Sequence, residues 1–330
     1  MSVQELKNYV DQNTFIKNYK STIVIFAKVF IAIGLLVYLI FTVDIDKILN
    51  AIQNANLYFI TAAALLSIIN IYLQFYKWKI TARVILQENH NSKIWLSLFY
   101  GFSAGIFTPA RIGEYFGRAL VFKNHSILRV TLATLVDKIF LLIIVAFLGA
   151  ISSIIFLHNY YHVTNYLTAG LFIILFVLFY FLLLLMFNDK FSDNILFTKM
   201  RNSIKLHWLF EKIKIFRKLD KKYATKMFVI SGLFYLCFLL QYALLVAAFS
   251  NHDQFINYFW AGNLMMFAKT IIPPVSLGEL GIREGASVFF ITQFGESASV
   301  GFNASIFLFF INVLIPSLIG LALLLKKSND

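Results

Sequence analysis

Two stretches of this chain carry the same charged pattern. Pro109, Gly113, Glu114 and Arg118 stand within TPARIGEYFGRA, and Pro274, Gly278, Glu279 and Arg283 stand within PPVSLGELGIREGA, each spaced P-x-x-x-G-E-x-x-x-R. Glutamate four residues before arginine shares a helical face with it in the favoured order, so each pair can neutralise itself. A guanidinium also presents a planar fork of donors that fits a phosphate. A carboxylate can hold an amine or carry a proton. Thr108 can cap a helix with Pro109 in its first position. After Pro273 and Pro274, Ser276 and Glu279 match a capping box. Helix starts of this kind offer free N–H groups and a positive dipole end to an anion.

These motifs lie in apolar surroundings. The 330 residues are 60% hydrophobic and 14% charged, whereas soluble domains carry about 25% charged residues. Most of the chain is therefore expected in lipid. Charges at bilayer depth cost at least ~2.5–3.5 kcal/mol each, so Arg111, Arg118, Lys269 and Arg283 need partners or a watery cavity. Asp137 and Glu284 are the expected partners beyond the two glutamates of the motifs. Lys138, adjacent to Asp137, points elsewhere on its helix and faces lipid or pairs elsewhere.

The elements that position the motifs follow from hydropathy. Runs of about 20 apolar residues suit a ~30 Å hydrocarbon core, and they occur at 23–41, 57–75, 130–156, 166–187, 227–249 and 303–325. Two further segments, 94–122 and 255–294, are apolar but broken by Pro, Gly and charge, and read as helical hairpins that enter and return. The first run has the length of an uncleaved span, with no small-residue cleavage site after it. The expected fold class is all-α and polytopic: six full spans plus two broken or re-entrant hairpins.

The two motifs are offset by 165 residues, half of the chain, which divides a single membrane domain 1–330 into pseudo-repeats 1–165 and 166–330. An odd number of full spans per half makes the second copy start on the other side, giving an inverted repeat with its site near the midplane. Cations cluster beside the segments assigned inside: Lys77, Lys79, Arg83, Lys93, Lys123 and Arg129, with eleven more in the connection 188–226. Both termini are then cytoplasmic by the positive-inside rule. The apolar residues among those eleven cations make 188–226 an amphipathic stretch resting on the headgroups.

The net charge of +13 is spread beside apolar runs, which excludes an independent nucleic-acid domain. The one cysteine, Cys237, forms no disulfide framework, and the six histidines, all in expected loops, lack metal-ligand spacing. No metal or cofactor is expected. Gly101 with Gly105 and Gly113 with Gly117 have the small-xxx-small spacing of close helix contact, and Gly278, Gly281 and Gly285 are read the same way.

Taken together, TPARIGEYFGRA, the Asp137-Lys138 pair and PPVSLGELGIREGA resemble the lysylphosphatidylglycerol synthase transmembrane family, also called flippase-like. That resemblance covers nearly the whole chain. It implies a bacterial or archaeal cytoplasmic-membrane protein, in which this region moves an aminoacylated phospholipid made by a fused synthase domain. Here the sequence stops at Asp330 after its last span, so lipid movement without synthesis is the expectation. The family pattern has Arg where Lys138 stands. Carried over by position, the implied substrate cavity holds Arg111, Glu114, Arg118, Asp137, Glu279 and Arg283, to which the residue reading adds Lys269.

The expected function is a flippase-like transporter of a phosphate-containing lipid, whether phospholipid, aminoacyl-phospholipid or polyprenyl phosphate, with membrane lipids as its partners. An intramembrane lipid-modifying transferase and a non-catalytic partner of a separate lipid synthase are the alternatives. Neither a paired nucleophile and base nor a nucleotide loop supports an enzyme. The oligomeric state is not specified by the sequence.

Overall fold

The computed structural model describes residues 45–106, 108, 111–122, 124–187, 220–272 and 281–328, and all regular structure among them is helical. A short helix α1 (Ile45–Gln53) precedes α2 (Leu57–Thr81), whose start is capped by the Asn56 side chain accepting from Tyr58 N. A π turn, Ala82–Leu86, extends α2 until Gln87 adopts a left-handed conformation. Then come α3 (Asn91–Ile106), α4 (Gly113–Ala119), α5 (Ile127–Tyr161) and α6 (Asn165–Phe187). Asp220 caps α7 (Lys221–Ser250) by accepting from Tyr223 N at 2.8 Å. The chain closes with α8 (Phe255–Ile271), α9 (Ile282–Gln293), α10 (Ala298–Phe309), a second π turn Phe310–Leu314, and α11 (Ile315–Ser328).

Five of these units are long and apolar enough to cross a membrane: Leu57–Leu86, Ile127–Tyr161, Asn165–Leu184, Lys221–Ser250 and Ala298–Lys326. They coincide with five of the six expected spans. The expected span 23–41 lies outside the described residues, as do 188–219 of the basic connection. Residues 221–226 of that connection are helical, because Asp220 starts α7 six residues before the apolar run begins. α6 packs mainly on α5 and leaves Leu167, Ile173, Phe176, Val177 and Tyr180 exposed, as suits a lipid-facing helix.

Both interrupted segments turn back. In the first, Gly117 lies against Tyr100 and Gly113 against Ala104, so α4 runs antiparallel along α3. In the second, Tyr258 Oη donates to Glu296 at 2.6 Å and the Trp260 ring lies 5.1 Å from Phe294, so α9 returns along α8.

Their openings are at different ends of the bundle. Arg129 donates through Nε and Nη2 to Ile85 O at 3.1 and 2.6 Å, and Thr81 Oγ1 lies 2.8 Å from Tyr223 Oη. The end of α2 and the starts of α5 and α7 therefore share one end, where Arg83, Lys93, Lys221 and Lys222 also gather. The α3–α4 hairpin opens there. At the other end Asn56 N donates to Ala248 O at 2.8 Å, and His252 Nδ1 lies 3.2 Å from Glu296. The α8–α9 hairpin opens at that end.

The last span touches both hairpins. Ser287 Oγ of α9 donates to Gly301 O in α10 at 2.6 Å, and Ser103 Oγ of α3 donates to Ser317 O in α11 at 2.6 Å. Between them, Asn312 in the π turn donates to Gln241 Oε1 at 3.2 Å, which also accepts from Asn70 at 3.4 Å. Interhelical hydrogen bonds of this kind average ~0.6 kcal/mol in membranes.

Candidate functional site

The first hairpin is held tight by its glycines. A Cβ on Gly113 would lie 2.1 Å from Ala104 O, and one on Gly117 would lie 2.4 Å from Tyr100 O, so only glycine lets α4 reach α3. The Thr108 hydroxyl accepts from Gly113 N at 2.7 Å and lies within donating reach of the Ala104 and Gly105 carbonyls. Thr108 thus caps a helix that starts at Gly113, not one beginning at Pro109, which is outside the described residues. Arg111 takes a left-handed backbone, φ 53°, which turns the chain into α4.

That turn delivers a six-residue charge cluster. Arg118 Nη2 donates to Glu114 Oε1 at 2.6 Å and Nη1 to Asp137 Oδ2 at 3.1 Å. Lys138 Nζ donates to Glu114 Oε2 at 2.7 Å, with Arg111 Nη2 3.7 Å from the same oxygen. Lys77 Nζ lies 3.8 Å from Asp137 Oδ1. The Arg118 guanidinium also stacks over Trp78, 4.4 Å from the ring centroid, and Trp78 is itself fixed by donating to Ser97 Oγ at 2.7 Å. Lys77 is nine residues from Leu86 and Asp137 ten from Ile127. At 1.5 Å per residue the cluster is about 15 Å inside the bundle, roughly half of a hydrocarbon core.

Two properties of the cluster bear on chemistry. Four cations face two carboxylates, an excess of two positive charges among the described residues when all six are ionised. The Nε donors of Arg111 and Arg118 are buried without a hydrogen-bond partner. Exposure is graded: side chains of Arg118 and Lys77 are 3% and 5% exposed, whereas those of Arg111 and Lys138 are 19% and 33%. An anion arriving here meets Arg111 and Lys138 first.

The second hairpin holds a smaller charged centre. Arg283 Nε donates to Glu284 Oε1 at 3.1 Å and to Ser305 Oγ at 3.0 Å, its Nη2 bonds the same carboxylate oxygen, and its guanidinium lies over Phe309. Glu284 Oε2 accepts from Gly281 N at 2.6 Å and so caps α9. Gly281, expected at a close helix contact, instead supplies a φ of 91° that side-chain-bearing residues rarely adopt. Gly285 has open space around its Cα and makes no close approach. Lys269 sits partly buried in the last turn of α8. Pro273, Pro274, Ser276, Gly278 and Glu279 lie outside the described residues, so the capping box Ser276–Glu279 and the Glu279–Arg283 pair lie there too.

Of the residues named from sequence, the structure brings Arg111, Glu114, Arg118 and Asp137 together. Two lysines left out of the expected cavity join them. Lys77 was expected beyond the end of its span, but α2 continues to Leu86 and buries it. Lys138 was expected to face lipid or pair elsewhere than its neighbour Asp137; Glu114 reaches from α4 to meet it, so adjacent residues serve opposite sides of one network. Among the described residues, no ion pair joins Arg283 to Glu114 or Asp137.

Residues 25–320 match the family model described as the lysylphosphatidylglycerol synthase TM region. The chain belongs to that family. No curated protein matches it. Family membership and the apolar helices make it a multi-pass membrane protein linked to lipid metabolism.

Proposed function

We propose that this family member moves a phosphate-bearing membrane lipid between leaflets, holding the headgroup at the α4–α5 charge cluster while the acyl chains stay in lipid. One observation carries the reading: a buried cluster with two more cations than carboxylates among the described residues, at an interrupted helix about 15 Å in from one end of the bundle. Ionic side chains at such depth are costly, and they mark substrate or ion paths where they occur.

The architecture supports alternating access. Hairpins opening at opposite ends read as an inverted repeat, with the π turn and Asn312 at the junction between them. The basic end, read by the positive-inside rule, is cytoplasmic, in the plasma membrane of its cell.

The test is reconstitution. Purified protein in vesicles carrying a headgroup-labelled phospholipid in both leaflets makes the inner label accessible to an added quencher. Wild type is expected to expose inner-leaflet label and Arg118→Gln to leave it protected. Equal protection of wild-type and protein-free vesicles, for both phospholipid and polyprenyl phosphate probes, overturns the reading.

A further inference from the structure

Resting on the lipid-transport reading, we infer that the cluster is built for a lipid phosphomonoester, close to two negative charges, entering sideways between α4 and α5 with Arg111 and Lys138 as first contacts. The charge balance points to the first half of this statement. Lys77, Arg111, Arg118 and Lys138 exceed Glu114 and Asp137 by two charges among the described residues. A phosphate monoester carries about −1.5 to −2 near neutral pH and offers three terminal oxygens. A phosphodiester headgroup carries one charge and leaves one cation uncompensated in a low-dielectric site.

The route follows from exposure. Arg111 and Lys138 are the accessible members, and Lys138 Nζ lies 5.0 Å from the ring centroid of Tyr115 on α4. Exposed apolar stripes flank them on both helices: Ile112, Phe116 and Leu120 along α4, and Leu135, Ile139 and Leu142 along α5. Residues four apart share a helical face, so Lys138 belongs to the face of Leu142, and Arg111 stands in the turn that leads into α4. Two cations between two hydrocarbon-covered ridges complement a phosphate with its chains still in the bilayer. A soluble phosphate has nothing to lay on those ridges.

The experiment uses the full chain in phosphatidylcholine nanodiscs, with native mass spectrometry to count bound lipid. Phosphatidic acid and a short polyprenyl monophosphate compete against phosphatidylglycerol, with inorganic phosphate as a further competitor. Both monoester lipids are expected to win over the diester by about tenfold, the size of one added charge-assisted contact, and inorganic phosphate is expected not to displace them. Lys138→Gln and Arg111→Gln should each bring the ratio toward one, and Lys138→Arg should keep it. Melting curves of both glutamine variants identify folded protein, and either one suffices. Parity between monoester and diester in wild type, a ratio unmoved in a folded glutamine variant, or displacement by inorganic phosphate overturns the inference while leaving an anionic-lipid site standing. Binding of no anionic lipid at all overturns the transport reading with it.

Discussion

The two hairpins repeat one sequence pattern and use it differently. In the first, the motif arginine bridges carboxylates on two helices: Arg118 ties Glu114 of α4 to Asp137 of α5. In the second, Arg283 closes on Glu284 beside it and on Ser305 of α10. The first centre draws on α2, α4 and α5 and carries surplus cations among the described residues. Among the described residues the second pairs one cation with one carboxylate, and it also caps its own helix through Glu284. Spacing alone does not set a charge network; what the neighbouring helices present decides whether a motif becomes an open cationic site or a closed pair.

Truncating the two arginines breaks the comparison most severely. Arg118→Ala leaves Asp137 with only Lys77 at 3.8 Å and Glu114 with Lys138 and Arg111, and losing the bridging member of a buried ionic network costs about 3–5 kcal/mol; thermal unfolding in detergent should show the loss, and the proposed transport should cease. Arg283→Ala leaves Glu284 with Gly281 N and Ser305 Oγ. Its cost should be smaller, about 1–3 kcal/mol. A larger loss for Arg283→Ala would reverse the assignment of open and closed centres.

Glycine substitutions sharpen the contrast at the next level. Alanine at Gly117 meets the Tyr100 carbonyl 2.4 Å from its Cβ, an overpacking expected to cost about 1–3 kcal/mol. Gly285→Ala enters open space within α9 and should be neutral or stabilise by roughly 0.5–1 kcal/mol, since glycine is a poor helix former. Unfolding midpoints of the two variants should move in opposite directions. Thr108→Val comes last, losing the cap on Gly113 N for about 1 kcal/mol, with faster hydrogen exchange confined to α4.

Much of this arrangement was legible in advance, and the residues that were not have a common cause. Five spans followed from runs of apolar residues, and both returns followed from Pro, Gly and charge inside otherwise apolar segments. Asp137 stood out because an acid inside a span needs a partner. Lys77 did not, since hydropathy falls at the charged residues after Phe75 while the helix itself ends only at Gln87. Helix length is set by backbone termination signals and hydropathy by side chains; a buried lysine near the end of a span separates the two. Lys138 pairs away from Asp137, one of the two expected outcomes, but adjacency on one helix says nothing of a glutamate reaching in from another to bring it into the same cluster. For Arg283 the i−4 rule favoured Glu279, whereas among the described residues the contact is with Glu284 and Ser305, and Ser305 is 22 residues away.

The central claim is that an uncompensated cationic centre inside the bilayer exists to receive a phosphate headgroup. Leaflet exchange of a labelled phosphate lipid, in vesicles holding wild type, Arg118→Gln or Lys138→Gln at equal folded amounts, tests it most directly. The account predicts exchange by wild type, none by Arg118→Gln and a clear reduction by Lys138→Gln. Exchange at wild-type rate in both variants would contradict it.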